Sequence, residues 1–65
     1  MERKEFLLNN PTEVHKEDLH LFGKFQGGEI EFIEDYFEVV VNYLNENYQA
    51  WNIRKYGNTY LARIT

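Results

Sequence analysis

The segment Gly28–Tyr48 reads GEIEFIEDYFEVVVNYLNENY, and how it folds decides the architecture of the chain. It carries Glu29, Glu31, Glu34, Asp35, Glu38 and Glu46 with no Lys or Arg, interleaved with Phe32, Tyr36, Phe37, Tyr43 and Tyr48. Placed at intervals of about 100°, Ile33, Phe37, Val40, Leu44 and Tyr48 fall on one stripe, and Phe32, Tyr36, Val39 and Tyr43 on a second beside it. Glu31, Glu34, Asp35, Glu38, Asn42, Asn45 and Glu46 lie opposite, giving a wide apolar face and a coherent acidic one. This periodicity predicts a helix from about Glu29 or Phe32 to about Asn47, weakened by the β-branched run Val39–Val41. Its early acids suit the positive end of the helix dipole. The glycine pair Gly27 and Gly28 permits a second arrangement, in which KFQGGEIEF (Lys24–Phe32) is a hairpin and the helix starts only near Glu34.

Downstream, WNIRKYGNTYLARIT (Trp51–Thr65) consists of two alternating runs around Gly57 and Asn58, a pair suited to a two-residue type II′ or I′ turn. With Tyr56 opposite Thr59, the register continues Lys55 with Tyr60, Arg54 with Leu61, Ile53 with Ala62, Asn52 with Arg63 and Trp51 with Ile64. One face then carries Trp51, Ile53, Ala62 and Ile64, the natural seat for the helix. The other carries Asn52, Arg54, Tyr56, Thr59, Leu61 and Arg63.

Upstream, DLHLFGKF (Asp18–Phe25) alternates Leu19, Leu21 and Phe25 against His20, Phe22 and Lys24. It reads as a further strand, with Gly23 a bulge or point of close approach. NNPTEV (Asn9–Val14) suits a turn or short helix capped by Asn10, with Pro11 at the first position and Glu13 at the third. Residues 4–9 are compatible with either a strand or a helix. The expected fold is α+β: one main amphipathic helix packed on a three- to four-stranded antiparallel sheet that ends in a C-terminal β-hairpin.

Sixty-five residues form one domain, residues 1–65, and a chain of that size buries only ~60% of the surface its unfolded form exposes. Cysteine is absent, which excludes disulfides, thiolate metal sites and thiol catalysis. Stability must come from dense packing or association, and five Phe, five Tyr and Trp51 supply large areas for it. The apolar run near the N-terminus, Phe6–Leu8, is too short for a signal-peptide core or a membrane span, so a cytoplasmic protein is expected.

The net charge of −4 hides a segregation. Residues 1–20 carry five acids and three bases, residues 21–50 six acids and one base, and residues 51–65 three bases and no acid. On the helix reading, Glu31 with Asp35 and Glu34 with Glu38 are like-charge neighbours that each cost the helix ~0.2 to 0.5 kcal/mol. A face selected only for stability usually mixes signs. Glu31, Glu34, Asp35 and Glu38, flanked by Tyr36 and Tyr43, therefore form a candidate docking face for a protein with a basic surface, such as one that normally holds nucleic acid. The competing explanation is a solvated face kept acidic for solubility.

The outer face of the sheet is the second candidate. Phe22, Lys24, Arg54, Tyr56, Leu61 and Arg63 emerge there together, mixing cations and aromatics. Three uses compete: stacking bases and holding phosphates, burial against a second copy of the chain, or half-wetted surface. The acidic total makes nucleic acid the weaker partner and a homodimer the stronger one.

Catalytic signals are sparse. His15 and His20 are five residues apart, which aligns them on neither a helix nor a strand, so no metal site is expected. Serine is absent along with cysteine, removing the commonest acyl-transfer nucleophiles. The glycine pair lacks the spacing and the Lys-Ser/Thr of a phosphate-binding loop. The carboxylates cluster on expected solvent surface, where tuning for acid-base work is hard. The expectation is a small protein-binding module, not an enzyme, needing no cofactor and no membrane. Inhibitors and adaptors of phages and mobile elements have this profile; the alternative is a small nucleic-acid-binding module.

Overall fold

Two glycine turns organise the chain. A computed structural model describes residues 2–65. In it, Gly27 and Gly28 both adopt positive φ, 60° and 78°, the conformation a two-residue type I′ turn demands. They fold Gly23–Gln26 (β1) back on Glu29–Ile33 (β2), with Lys24 opposite Glu31 and Phe25 opposite Ile30. At the second turn Gly57 has φ 64° and Asn58 does not have a positive φ, the type II′ pattern. It joins Trp51–Tyr56 (β3) to Thr59–Ile64 (β4) in the register expected from the sequence, from Tyr56 with Thr59 to Trp51 with Ile64. β2 pairs antiparallel with β4, so the four-stranded sheet runs β1-β2-β4-β3.

The main helix therefore begins later than its periodicity suggests. Glu34–Tyr36 forms a 3₁₀ turn and Phe37–Asn47 the α-helix proper, which is the hairpin alternative. The start at Glu29 or Phe32 is corrected because Ile30 and Phe32 alternate with Glu29 and Glu31 at strand period and bury in the core, at 1% and 2% exposure. Ile33 leaves the expected apolar stripe and is exposed at the end of β2.

The N-terminal third is helical. Arg3–Asn9 is a short α-helix (α1, with Phe37–Asn47 as α2), Pro11–Glu13 a 3₁₀ turn preceded by Asn10, and Lys16–Leu21 a longer 3₁₀ segment. The expected strand over Leu19–Phe25 thus shrinks to Gly23–Gln26. At 3₁₀ spacing Leu19 and Phe22 share one side and bury, while Leu21 turns outward. Asp18 holds this segment to α1: its carboxylate accepts hydrogen bonds from Arg3 Nη2 at 2.9 Å and Nε at 3.3 Å, and from the His15 backbone N–H at 2.9 Å.

Gly23 is a point of close approach. A Cβ there would collide with the Glu31 carbonyl oxygen and lie 2.9 Å from Phe32 Cβ.

The helical segments cover one face of the sheet. Leu7 from α1, Leu19, Val40 and Leu44 from α2, and Ile30 and Ala62 from the sheet make one fully enclosed cluster with Phe22, Phe32 and Val39. Each such aliphatic or phenyl side chain contributes about 1.5 to 3 kcal/mol on full burial. Phe37 of α2 packs on Tyr60 of β4 with ring centroids 4.8 Å apart. The opposite face of the sheet is uncovered and carries Lys24, Glu31, Arg54, Tyr56 and Arg63, all exposed. Among the described residues no helix is long and apolar enough to cross a membrane.

Candidate functional site

The acidic segment divides between the two sides of the molecule. Glu29 and Glu31 lie on β2 and face outward from the sheet, so Glu31 is removed from the expected docking face and cannot pair along a helix with Asp35. Glu34 and Asp35 stay together on the 3₁₀ turn, and Glu38 follows in the first turn of α2. These three carboxylates stand at the N-terminal end of the helix, where its dipole favours negative charge.

With Leu8, Pro11 and Val39 they line a groove of about 340 Å³ between α1 and the start of α2. Leu8 is 42% exposed, a large apolar side chain beside the carboxylates. Glu34 has partners: its Oε1 lies 3.5 Å from the Tyr60 hydroxyl and 4.0 Å from Lys55 Nζ. Asp35 and Glu38 make no ion pair among the described residues. The cations of α1 are engaged elsewhere, Arg3 with Asp18 at 2.9 Å and Lys4 over the Tyr36 ring at 4.4 Å. The groove thus sets two unpaired carboxylates beside the apolar side chains of Leu8 and Pro11, a combination suited to an apolar side chain flanked by Lys or Arg.

The expected aromatic flanks are structural. Tyr36 is half-buried with its ring edge-on to Phe22, centroids 5.4 Å apart. Tyr43 is 6% exposed and packs against Tyr48. Burial above all, then the neighbouring Tyr48, holds the Tyr43 phenol above the usual tyrosine value. Tyr43 is closed to a partner, and Tyr36 is only partly accessible. The sequence reading missed Leu8 and Pro11, because a seven-residue helix is too short for its period to mark which of Phe6, Leu7 and Leu8 points inward.

The outer face of the sheet does assemble most of the second candidate set. Lys24, Glu31, Leu61 and Arg54 form one row across the strands, and Gln26, Glu29, Arg63 and Asn52 the next. Tyr56, 56% exposed, lies with Thr59 and Ile33 in the row on the other side of the first. Phe22 is not among them; it is 2% exposed beneath the other side of the sheet. The three cations are offset by two acids, and Arg63 Nε already lies 3.6 Å from Glu29 Oε2.

His15 and His20 fall at the start and within the 3₁₀ segment, His20 packing edge-on against Phe25 with centroids 5.9 Å apart. Among the described residues no three His, Cys, Asp or Glu side chains converge as a metal-binding group.

No protein-family model, no curated protein and no solved structure matches this chain.

Proposed function

We propose that this protein is a small non-enzymatic binding module, an adaptor or inhibitor acting in the cytoplasm, that docks on a basic protein surface through the groove between α1 and α2. The observation that carries the reading is the pairing of Asp35 and Glu38, free of cations, with the exposed Leu8 and with Pro11 in one concave surface. Carboxylates at the positive end of a helix are held there at little cost to the fold, and the exposed Leu8 offers a partner an apolar contact beside them. The docking face is Glu34, Asp35 and Glu38, without Glu31, Tyr36 or Tyr43.

The tagged protein, compared with a variant carrying Asp35→Lys and Glu38→Lys, tests this by capture from lysate of the source organism and identification of bound material. The expected result is a basic protein retained by the parent chain and lost from the variant, with binding that weakens as salt rises. The same captured set from both chains, or no protein at all, overturns the reading.

The nucleic-acid alternative rests on the row that has Arg54 beside Leu61 at one end and Lys24 at the other, with Arg63 and Tyr56 in the flanking rows. Glu29 and Glu31 in the same rows oppose phosphate, so the groove is the better supported surface.

A further inference from the structure

The sheet has two edge strands, and they differ. β1 has four residues, and the segment Lys16–Leu21 lies against it, with Lys16 Nζ 6.0 Å from the Phe25 ring. β3 has six residues, pairs with β4 without a bulge and contains no proline. In a two-residue hairpin the flanking pair, here Tyr56 and Thr59, exchanges both backbone hydrogen bonds, and the bonded pairs then alternate. Arg54 and Asn52 therefore bond inward to β4, and the bond from Thr65 N to Ala50 O continues that alternation. The N–H and C=O groups of Trp51, Ile53 and Lys55 point out of the sheet, a ready template for another strand.

We propose that this edge pairs antiparallel with the same edge of a second copy, joining two sheets into one across a two-fold axis at Ile53. Charge and size select the register. With Ile53 opposite the partner's Ile53, Asn52 faces the partner's Arg54, and Trp51 faces the partner's Lys55, which can lie over the indole ring. The free backbone groups of Trp51, Ile53 and Lys55 then meet their counterparts directly. A shift of the axis by one residue toward Tyr56 sets Arg54 against the partner's Arg54 and Ile53 against the partner's Lys55, opposing like charges and burying a cation against an aliphatic chain, and a shift toward Trp51 leaves only Trp51, Asn52 and Ile53 paired, with Lys55 beyond the partner's strand. An acidic extended strand from another protein would also answer Arg54 and Lys55, but would leave Ile53 and Trp51 without the matching that the copy supplies.

This seam differs from the outer face considered from the sequence, which loses Phe22 to the core, and it does not use Asp35, Glu38 or Leu8. Its length makes it small beside a standard interface of about 800 Å² per partner, so the dimer dissociates on dilution.

The absence of cysteine makes a direct test available. Ile53→Cys and Arg54→Cys are prepared separately, checked for folding by circular dichroism and oxidised mildly at about 100 µM, while light scattering follows the mass of the parent chain from micromolar to millimolar concentration. In the proposed register the two Cα atoms at position 53 are about 5.5 Å apart, within disulfide range. Those at position 54 lie on a diagonal of about 8 Å, beyond it. The expected result is a mass that rises toward twice the monomer, and a disulfide dimer that forms about tenfold or more faster with Ile53→Cys, since the paired edge raises the effective thiol concentration into the millimolar range. A parent mass that stays monomeric to millimolar concentration overturns the proposal whatever the variants do. So does faster linkage of Arg54→Cys, or a doubled mass with neither folded variant linking, which would place the contact on another surface.

Discussion

Glu34 lies 3.5 Å through its Oε1 from the Tyr60 hydroxyl, so the first carboxylate of the acidic cluster is tied to the sheet while Glu38, four residues on, is not. The contact is solvent-exposed, as is the 4.0 Å approach to Lys55, and exposed interactions of this kind contribute little, about 0 to 1 kcal/mol.

Glu34→Gln and Glu38→Gln should consequently differ. Glu38→Gln relieves repulsion from Glu34 and Asp35 but gives up a favourable interaction of similar size with the helix dipole, so stability should stay level to within a few tenths of a kcal/mol. Glu34→Gln removes the same repulsion but also weakens the contacts to Tyr60 and Lys55, so the two effects oppose and a small loss is expected. Thermal melts of the two single variants decide it. A clear loss with Glu38→Gln would mean that this carboxylate is also held by the fold.

The glycines of the β1–β2 hairpin give predictions of different size. Gly27→Asn should change stability by no more than about 0.5 kcal/mol, because Asn meets nothing within 4 Å of its Cβ and is accepted in a type I′ turn, while the cost of its positive φ offsets the restriction of the unfolded chain. Gly23→Ala should destabilise it by about 1 to 3 kcal/mol, because the new methyl meets the Glu31 backbone and Phe32 Cβ, both fixed by the β1–β2 ladder. Chemical denaturation measures both, and equal effects would show that the β1–β2 hairpin is wrongly placed.

The two glycine turns also show where the fold was legible. Around Gly57 and Asn58 both flanks alternate without interruption, so the turn and the alternation select one register and Tyr56 to Trp51 pair as expected. Around Gly27 and Gly28 the residues Ile30, Phe32, Ile33, Phe37 and Val40 satisfy a helix period as well as a strand period over the first few positions. Only tertiary pairing of β2 with β4 settles that conflict. The same ambiguity misplaced Glu31 in the candidate site and left Asp35 and Glu38 correctly exposed. The alternation of DLHLFGKF points Phe22 outward as in a strand, whereas 3₁₀ spacing carries Leu19 and Phe22 to the same side.

Acid should loosen the N-terminal third first. The hydrogen bond from Arg3, with help from the His15 backbone N–H and nearby positive charge, holds the Asp18 carboxyl below its usual range against the opposing effect of desolvation. A carboxylate with a depressed folded-state pKa contributes stability that is present above its unfolded value of about 3.9 and is lost as pH falls through the folded value. Asp18→Asn should lower the melting temperature at neutral pH, by the equivalent of roughly 1 kcal/mol for a hydrogen bond weakened in this way. The gap from the parent chain should close from about pH 4 downward. Parallel melts across that range test the assignment, and a gap independent of pH would show that the Asp18 charge plays no part.

The outer face of the sheet sets the final expectation, that the protein binds neither single- nor double-stranded nucleic acid appreciably at physiological salt. Lys24, Arg54 and Arg63 are present there, but Glu29 lies 3.6 Å from Arg63 and Glu31 stands directly between Lys24 and Leu61 in the strand register. Each acid neighbours one of the cations, Glu31 beside Lys24 and Glu29 beside Arg63, well inside a Debye length of about 8 Å, so its field there is not screened away. Tyr56 is exposed enough to stack on a base, yet one ring worth about 1 to 3 kcal/mol cannot supply specific affinity alone. Replacing Glu29 and Glu31 with Gln should expose the face's positive charge and produce weak binding at low salt that vanishes as salt is raised. A fluorescence titration of the parent chain giving submicromolar affinity with a steep salt slope would transfer the function from the groove between α1 and α2 to the sheet.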